Sequence, residues 1–351
     1  MQEFPVSEIA CLLGSTWCGD LGEVVTGVAS LEDAGPCHLS FYTDKRYRAA
    51  ALETRAAAVI VALDEADLPP DRILPVADPQ AALFRALTLF DTSPPHQSGT
   101  DRTASISPGA EVADSVSVGS FVSIAEGARV SDGVTIHAGA RIGRDVHIGP
   151  DTLICANVVI EESVSIGANV CIGPGTVIGS VGFGFTVVDD VPRRTPHLGT
   201  VVIEDDVEIG ANCTVDRGTL GETRICRGAK LDNLIHVAHN VRIGEGVFMA
   251  AQCGIAGSST VGDGVRMGGQ SGISGHLHVV AGTDVGARSG VMKTIRDPGF
   301  VSGMPARPLE KERRAQASTL RLPDVFRRLR TLEKAIADLR SRPDRSSSEG
   351  A

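Results

Sequence analysis

The stretch "HAGARIGRDVHIGPDTLICANVVI", His137 to Ile160, divides into four six-residue units, each ending in isoleucine: Ile142, Ile148, Ile154 and Ile160. The period extends in both directions. Every sixth residue from Ile106 to Ile178 is Ile or Val. The register breaks at "SVGFGFTVVDDVPRRTPHLGT", Ser180 to Thr200, and resumes at Ile203, Ile209 and Val215. A four-residue insertion then shifts it, and it runs again from Ile225 to Val291 with Leu and Met admitted. A helix does not repeat every six residues, but a short period-two strand followed by a corner does. Three such units close a triangular coil with one aliphatic side chain per unit pointing inward. Stacked coils pair their strands in parallel at about 4.8 Å, and Gly or Asn suits the corners because it tolerates positive φ. The sequence therefore predicts a mainly β chain built on a left-handed parallel β-helix of about nine coils, a hexapeptide solenoid spanning 101–306 with an excursion at 181–200.

Residues 1–100 lack the repeat. "AALETRAAAVIVAL" (50–63) reads as a helix running into a buried strand, and "DPQAALFRALTLF" (78–90) as an amphipathic helix with Asp78 as N-cap and Pro79 in its first turn. A small α/β domain is expected there, joined to the solenoid through the Pro/Ser/Gly-rich "DTSPPHQSGTDRT" (91–103). After the solenoid, 307–351 is expected as a helical tail. Leu322, Val325, Leu329, Leu332, Ile336 and Leu339 form a heptad seam. Such a helix either packs on its own subunit or self-associates; self-association is favoured because solenoids of this type commonly form trimers.

Composition narrows the class. No run of 18 or more apolar residues marks a membrane span, and the N-terminus lacks the basic-then-apolar pattern of a secretory signal. The eight cysteines show no CxxC or metal-finger spacing. Cys155, Cys171 and Cys226 sit beside aliphatic positions, where a thiol fills space as a small apolar group; reduced thiols and a cytoplasmic location are expected. A formal net charge of -10 disfavours a general nucleic-acid binder. From Arg307 to Arg345, however, Lys and Arg outnumber Asp and Glu twelve to six, a block suited to a solvated face or to an acidic partner.

The motifs along this frame are "FYTDKRY" (41–47), the "GFGF" excursion (182–185), "VEIGANCTVDRG" (207–218), "LDNLIHVAHNVRIG" (231–244), "GIAGSSTVG" (254–262) and "GGQSGISGH" (268–276). Together with the domain order, over essentially the whole chain, they resemble the UDP-3-O-acylglucosamine N-acyltransferases of lipid A synthesis. The resemblance implies a homotrimer that moves a 3-hydroxyacyl group from acyl carrier protein to the 2-amino group of UDP-3-O-(3-hydroxyacyl)glucosamine, giving UDP-2,3-diacylglucosamine. It implies no enzyme-bound cofactor and no metal; 4'-phosphopantetheine arrives on the carrier protein. It makes His239 of "AHN" the general base, His276 of "GH" an assistant at the thioester end, and the Gly257 N–H the oxyanion donor. Asp232 and Asn233 are implied to orient the sugar or the base. Phe41 and Tyr47 are implied to stack on uracil. Asp44 departs from the family pattern, where Asn is expected; an ionised Asp can only accept a hydrogen bond, so its contact with uracil is in doubt.

The chemistry suits these residue types. A neutral amine attacking a thioester must shed a proton, which an imidazole accepts near neutrality, and the oxyanion needs a preorganised donor. The repeat also separates two histidines. Ile235 and Val237 point inward, so His236 faces out on a flat face and is expected to be a bystander like His278; His239 falls at the following corner. His239 and His276 lie two coils plus one residue apart, about 10 Å along the axis. Lys293, Arg313, Arg314, Arg327 and Arg328 are candidates for docking the acidic carrier. Gly290 and Ser289 are candidates for the floor of an acyl groove deep enough for a long chain. Three rival readings stand: a sister UDP-N-acetylglucosamine O-acyltransferase or other hexapeptide acyltransferase, disfavoured by the N-terminal domain; a zinc enzyme using His236, His239 and His276; and a non-catalytic scaffold.

Overall fold

A computed structural model describes residues 2–20, 22–64, 68–91, 98–303 and 309–340. The chain divides into two compact units, Met1–Pro95 and His96–Ala351.

The first unit is a four-stranded parallel sheet in the order Gly27–Val28, His38–Phe41, Ala58–Ala62, Ile73–Val76. The central strand Ala58–Ala62 is an apolar run because helices and neighbouring strands cover it; Ala58, Ile60 and Val61 are fully buried. Helix Pro79–Leu89 starts as its sequence predicts. The Asp78 carboxylate accepts from the Gln80 and Ala81 amides, both at 3.0 Å, and Pro79 occupies the first turn.

The second unit is a parallel β-helix. Its strands, mostly two residues long, stack into three sheets of 11, 10 and 9 strands. Ile124, Ile142 and Ile160 pair in register down one sheet, and Ile136 and Ile154 down another. These side chains form one continuous apolar core, with Ile136, Ile148, Ile154, Ile160 and Ile172 at most 1% exposed. Burying a side chain of this size contributes about 1.5–3 kcal/mol, and many units bury a second apolar group two residues earlier, as at Val134, Val146, Val158 and Val170. Left-handed corner residues are Gly, Asn or Asp at many coils, among them Gly133, Gly139, Asp151, Asn157, Asn212 and Asn240. The solenoid begins slightly earlier than the period indicates: Gly99–Thr100 already pairs with Ser117–Val118. Of the expected linker, residues 92–97 lie outside the described residues.

Two irregular coils interrupt the stack. The pairing Ile166↔Ile203 spans the excursion, and Ile203↔Ile225 contains the four-residue insertion, after which Ile225↔Ile243 restores the regular offset. Within the excursion, Phe185–Val188 and Val191–Arg194 form an antiparallel hairpin.

Helix Leu309–Arg340 follows. Its seam residues Leu322, Val325, Leu329, Leu332 and Ile336 are 44–59% exposed, so none is buried among the described residues. The Leu339 side chain and residues 304–308 and 341–351 lie outside the described residues. Among the described residues no helix is long and apolar enough to cross a membrane.

Candidate active site

The coil Leu231–Gly244 presents its histidines unequally. Leu231, Ile235, Val237, Val241 and Ile243 are buried inside. His236 lies between two of them in a strand and faces out, while His239 is half-buried at the corner, next to the left-handed Asn240.

The four-residue insertion fixes the His239 ring. The Asn240 Nδ2 donates to the Leu220 carbonyl at 2.7 Å, which turns Oδ1 toward the Thr219 amide at 2.9 Å and toward His239 Nδ1 at 3.2 Å. The Thr219 hydroxyl stands 3.4 Å from the same ring nitrogen. An amide oxygen only accepts, so Nδ1 carries the proton and Nε2 keeps its lone pair. That free nitrogen lies over Gly257: a Cβ on Gly257 would sit 2.6 Å from Nε2. The imidazole itself therefore demands glycine at 257.

The Gly257 N–H has no hydrogen-bond acceptor among the described residues. At the same place in the six-residue unit on the other two corners of the solenoid, the amides of Ala168, Ala211 and Glu245 are each capped by a side chain from the next coil: Asp205 at 2.9 Å, Asn233 at 2.7 Å and Asp263 at 2.8 Å. The residue facing Gly257 in that role is Gly275, which has no side chain. Among the described residues, a proton acceptor and an N–H donor without partners thus share one corner.

They open on a cleft of about 580 Å³. Its floor is the column His236, Gly254, Gly272, Gly290, in register on successive coils. Phe183 of the excursion and Met292 also line it. Gly290 faces the cleft as anticipated for a groove floor. Ser289 does not: it is buried, with its hydroxyl accepting from the Gly303 amide at 3.0 Å. His276 is an exposed left-handed corner residue whose amide donates to the Gly257 carbonyl, on the Gly257–Ser258 peptide, at 3.0 Å.

Asp232 and Asn233 occupy the preceding corner of the coil, not the His239 corner. The Asp232 carboxylate accepts from the Asn233 amide at 2.7 Å and the Ala251 amide at 3.1 Å, and Asn233 caps Ala211. Both line a second cleft, of about 1060 Å³, with Lys230 and Phe248. Within one chain, then, the tautomer of His239 is set by Asn240 and not by Asp232. On that same face the half-buried thiol of Cys171 is pushed up to about 11 by burial, helped by the nearby Cys155 thiol and the Glu208 charge. Cys226 is fully buried, as expected of a filler; Cys155 and Cys171 are only half-buried.

In the first unit Phe41 ends a strand, partly packed on the core, and Tyr47 is 52% exposed. Asp44 is bound to its own turn. Its carboxylate accepts from the Arg46 amide at 2.9 Å and from the Arg46 guanidinium at 2.6 Å, which holds it below the usual carboxylate range. Lys293 is exposed just past Met292. Arg313, Arg314, Arg327 and Arg328 are exposed on the C-terminal helix, with Arg327 paired to Asp324. Among the described residues no three His, Cys, Asp or Glu side chains converge on a point that a metal ion would occupy.

Residues 24–89 match the family model of UDP-3-O-(3-hydroxymyristoyl) glucosamine N-acyltransferase, and residues 145–180 match the bacterial transferase hexapeptide repeat. A UDP-3-O-acylglucosamine N-acyltransferase of Pseudomonas paraeruginosa is 41% identical over 345 residues, 98% of each chain. One from Pseudomonas savastanoi pv. phaseolicola is 38% identical over 343 residues, 97% of this chain and 98% of the relative. The chain belongs to the UDP-3-O-acylglucosamine N-acyltransferase family. It is an N-acyltransferase. The solved Arabidopsis UDP-N-acetylglucosamine acyltransferase shares the fold, with a TM-score of 0.51 at 20% identity over 62% of this chain and 76% of that one.

Sequence reasoning missed two groups in this family member. His236, expected as a bystander, lines the cleft; its Nδ1 lies 2.8 Å from the Thr214 hydroxyl and its Nε2 3.7 Å from the buried Asp216 carboxylate, which accepts from Ser180 Oγ at 2.7 Å. His197, on the excursion, meets the His239 ring edge-on with centroids 5.2 Å apart. Neither contact follows the hexapeptide period, because both cross the irregular coils.

Proposed function

We propose that this enzyme transfers a 3-hydroxyacyl group from acyl carrier protein to the 2-amino group of UDP-3-O-(3-hydroxyacyl)glucosamine, giving UDP-2,3-diacylglucosamine in lipid A biosynthesis. The observation that carries the reading is the shared corner: the free Nε2 of His239 and the uncapped Gly257 N–H, at the head of an apolar cleft. The amine nitrogen attacks the thioester carbon while His239 Nε2 takes its proton. The Gly257 N–H meets the developing oxyanion. The C–S bond then breaks, and the imidazolium returns the proton to the leaving thiolate of the carrier's phosphopantetheine. No cofactor bound by the enzyme takes part. His276 offers its ring at the thioester end. The acyl chain lies along Gly254, Gly272 and Gly290.

The assembly is a homotrimer in this reading, with the exposed seam of the C-terminal helix covered by other copies. Asp232 and Asn233, on a different corner from His239, would reach the sugar of a substrate bound by a neighbouring copy. Phe41 and Tyr47 stack on uracil; Asp44, held by Arg46, makes no direct contact with the base. Lys293, Arg313, Arg314, Arg327 and Arg328 meet the acidic carrier, and the enzyme works in the cytoplasm.

The test is a mass-spectrometric transfer assay with UDP-3-O-acylglucosamine and a panel of acyl carrier thioesters. One N-linked acyl group should be added, and His239→Ala should lower kcat by about 10²–10⁴. Full activity in His239→Ala would sink the mechanism.

A further inference from the structure

The excursion that interrupts the repeat delivers one side chain into the catalytic corner. His197 is 7% exposed. Its Nδ1 lies 2.9 Å from the Thr195 carbonyl; a carbonyl only accepts, so Nδ1 carries the proton and Nε2 bears the lone pair. That Nε2 is buried and has no hydrogen-bond partner among the described residues. The two glycines of "GFGF" make room for the ring. A Cβ on Gly182 would lie 2.8 Å from His197 Nε2 and 3.0 Å from the His239 Cβ, and one on Gly184 would lie 3.2 Å from His197 Cε1. Gly182 is therefore where the excursion backbone passes between the His197 ring and the His239 side chain.

We infer that His197 is a positioning residue for His239, and that the excursion exists in part to seat it there. This rests on the reading of His239 as the base. The His239 ring is then held on three sides: Asn240 at Nδ1, Gly257 beneath Nε2, and the His197 ring at 5.2 Å and 73°. A hydrocarbon of similar size would brace the ring as well and would leave no polar atom unpaired. An imidazole leaves a lone pair in a dry seat beside the base, where no donor neutralises it. When His239 takes the amine proton, the new positive charge arises in a ring 5.2 Å from that imidazole, whose dipole is already held by the Thr195 carbonyl and needs no reorganisation to respond.

Three variants separate this from a purely structural role: His197→Leu, which fills the space; His197→Gln, whose amide can donate to the Thr195 carbonyl and present an oxygen where Nε2 stood; and His239→Ala as the control. His197→Leu should lower kcat by roughly tenfold or more with KM changed less than about twofold. His197→Gln should return kcat to within about threefold of the parent. Should His197→Leu fail to fold, His197→Ala takes its place. The inference is overturned if the apolar variant melts lower but keeps its kcat, if KM carries the loss, or if Gln is as impaired as Leu. Retained activity in His239→Ala instead overturns the base assignment, whatever His197 does.

Discussion

Asn240 Oδ1 stands 3.2 Å from Nδ1 of His239 and 2.9 Å from the Thr219 amide, so a neutral amide, and no carboxylate, sets the tautomer of the base. Asn240→Ala removes that acceptor and lets the ring turn. It should lower kcat by about 10- to 100-fold, a part of the whole worth of a general base, while KM stays near the parent value. Steady-state kinetics decide; an unchanged kcat would mean that the Thr219 hydroxyl alone orients the ring.

Gly275→Asp should close the oxyanion site without touching the base. Gly275 has an ordinary φ, and a Cβ there would meet the Gly257 carbonyl at a comfortable 3.4 Å. The new carboxylate would cap the Gly257 amide as Asp263 caps Glu245. Losing an oxyanion donor costs about 10²–10³ in kcat, and the melting temperature should hold or rise. Full activity in this variant would exclude the Gly257 N–H as the donor.

Gly290→Met should shorten the preferred acyl chain. A Cβ at Gly290 meets nothing within 4 Å, so the new side chain enters the cleft at the far end of the glycine column. Donors of graded length, assayed in competition, should shift toward shorter chains. An unchanged length preference would place the acyl group elsewhere.

Cys171 supplies a pH test. Its thiol ionises at about 11 instead of 9.0, chiefly because burial disfavours the thiolate. Stability carried by the neutral thiol is fully present below pH 9 and is lost as the pH rises toward 11. Iodoacetamide at pH 7.5 should label the exposed Cys11, Cys18 and Cys37 first, with Cys171 reacting appreciably only as the pH approaches 11. Fast labelling of Cys171 at pH 7.5 would contradict its burial.

The period of six made the solenoid legible because each inward Ile or Val answers to a single local rule, and it separated His236 from His239 by the same rule. Gly257 came from the resemblance of "GIAG" and not from the period. The clamp on His239 was not legible. Asn240 meets Thr219 and Leu220 across an insertion whose path no period describes. His197 reaches His239 from inside the excursion, at a distance in sequence set by hairpin geometry. The Asp44–Arg46 pair hides in the sequence for a different reason: two charges two residues apart on a short turn look like any solvated pair until the carboxylate is seen to cap that turn.

The capped corner amides carry a consequence for how such a fold acquires activity. Each coil that places Asp or Asn over the amide of its neighbour is masking a latent anion site. Unmasking one takes a single change to glycine one coil further on. A repeat of this kind is a row of dormant oxyanion donors, and the one at Gly257 lies beside a histidine.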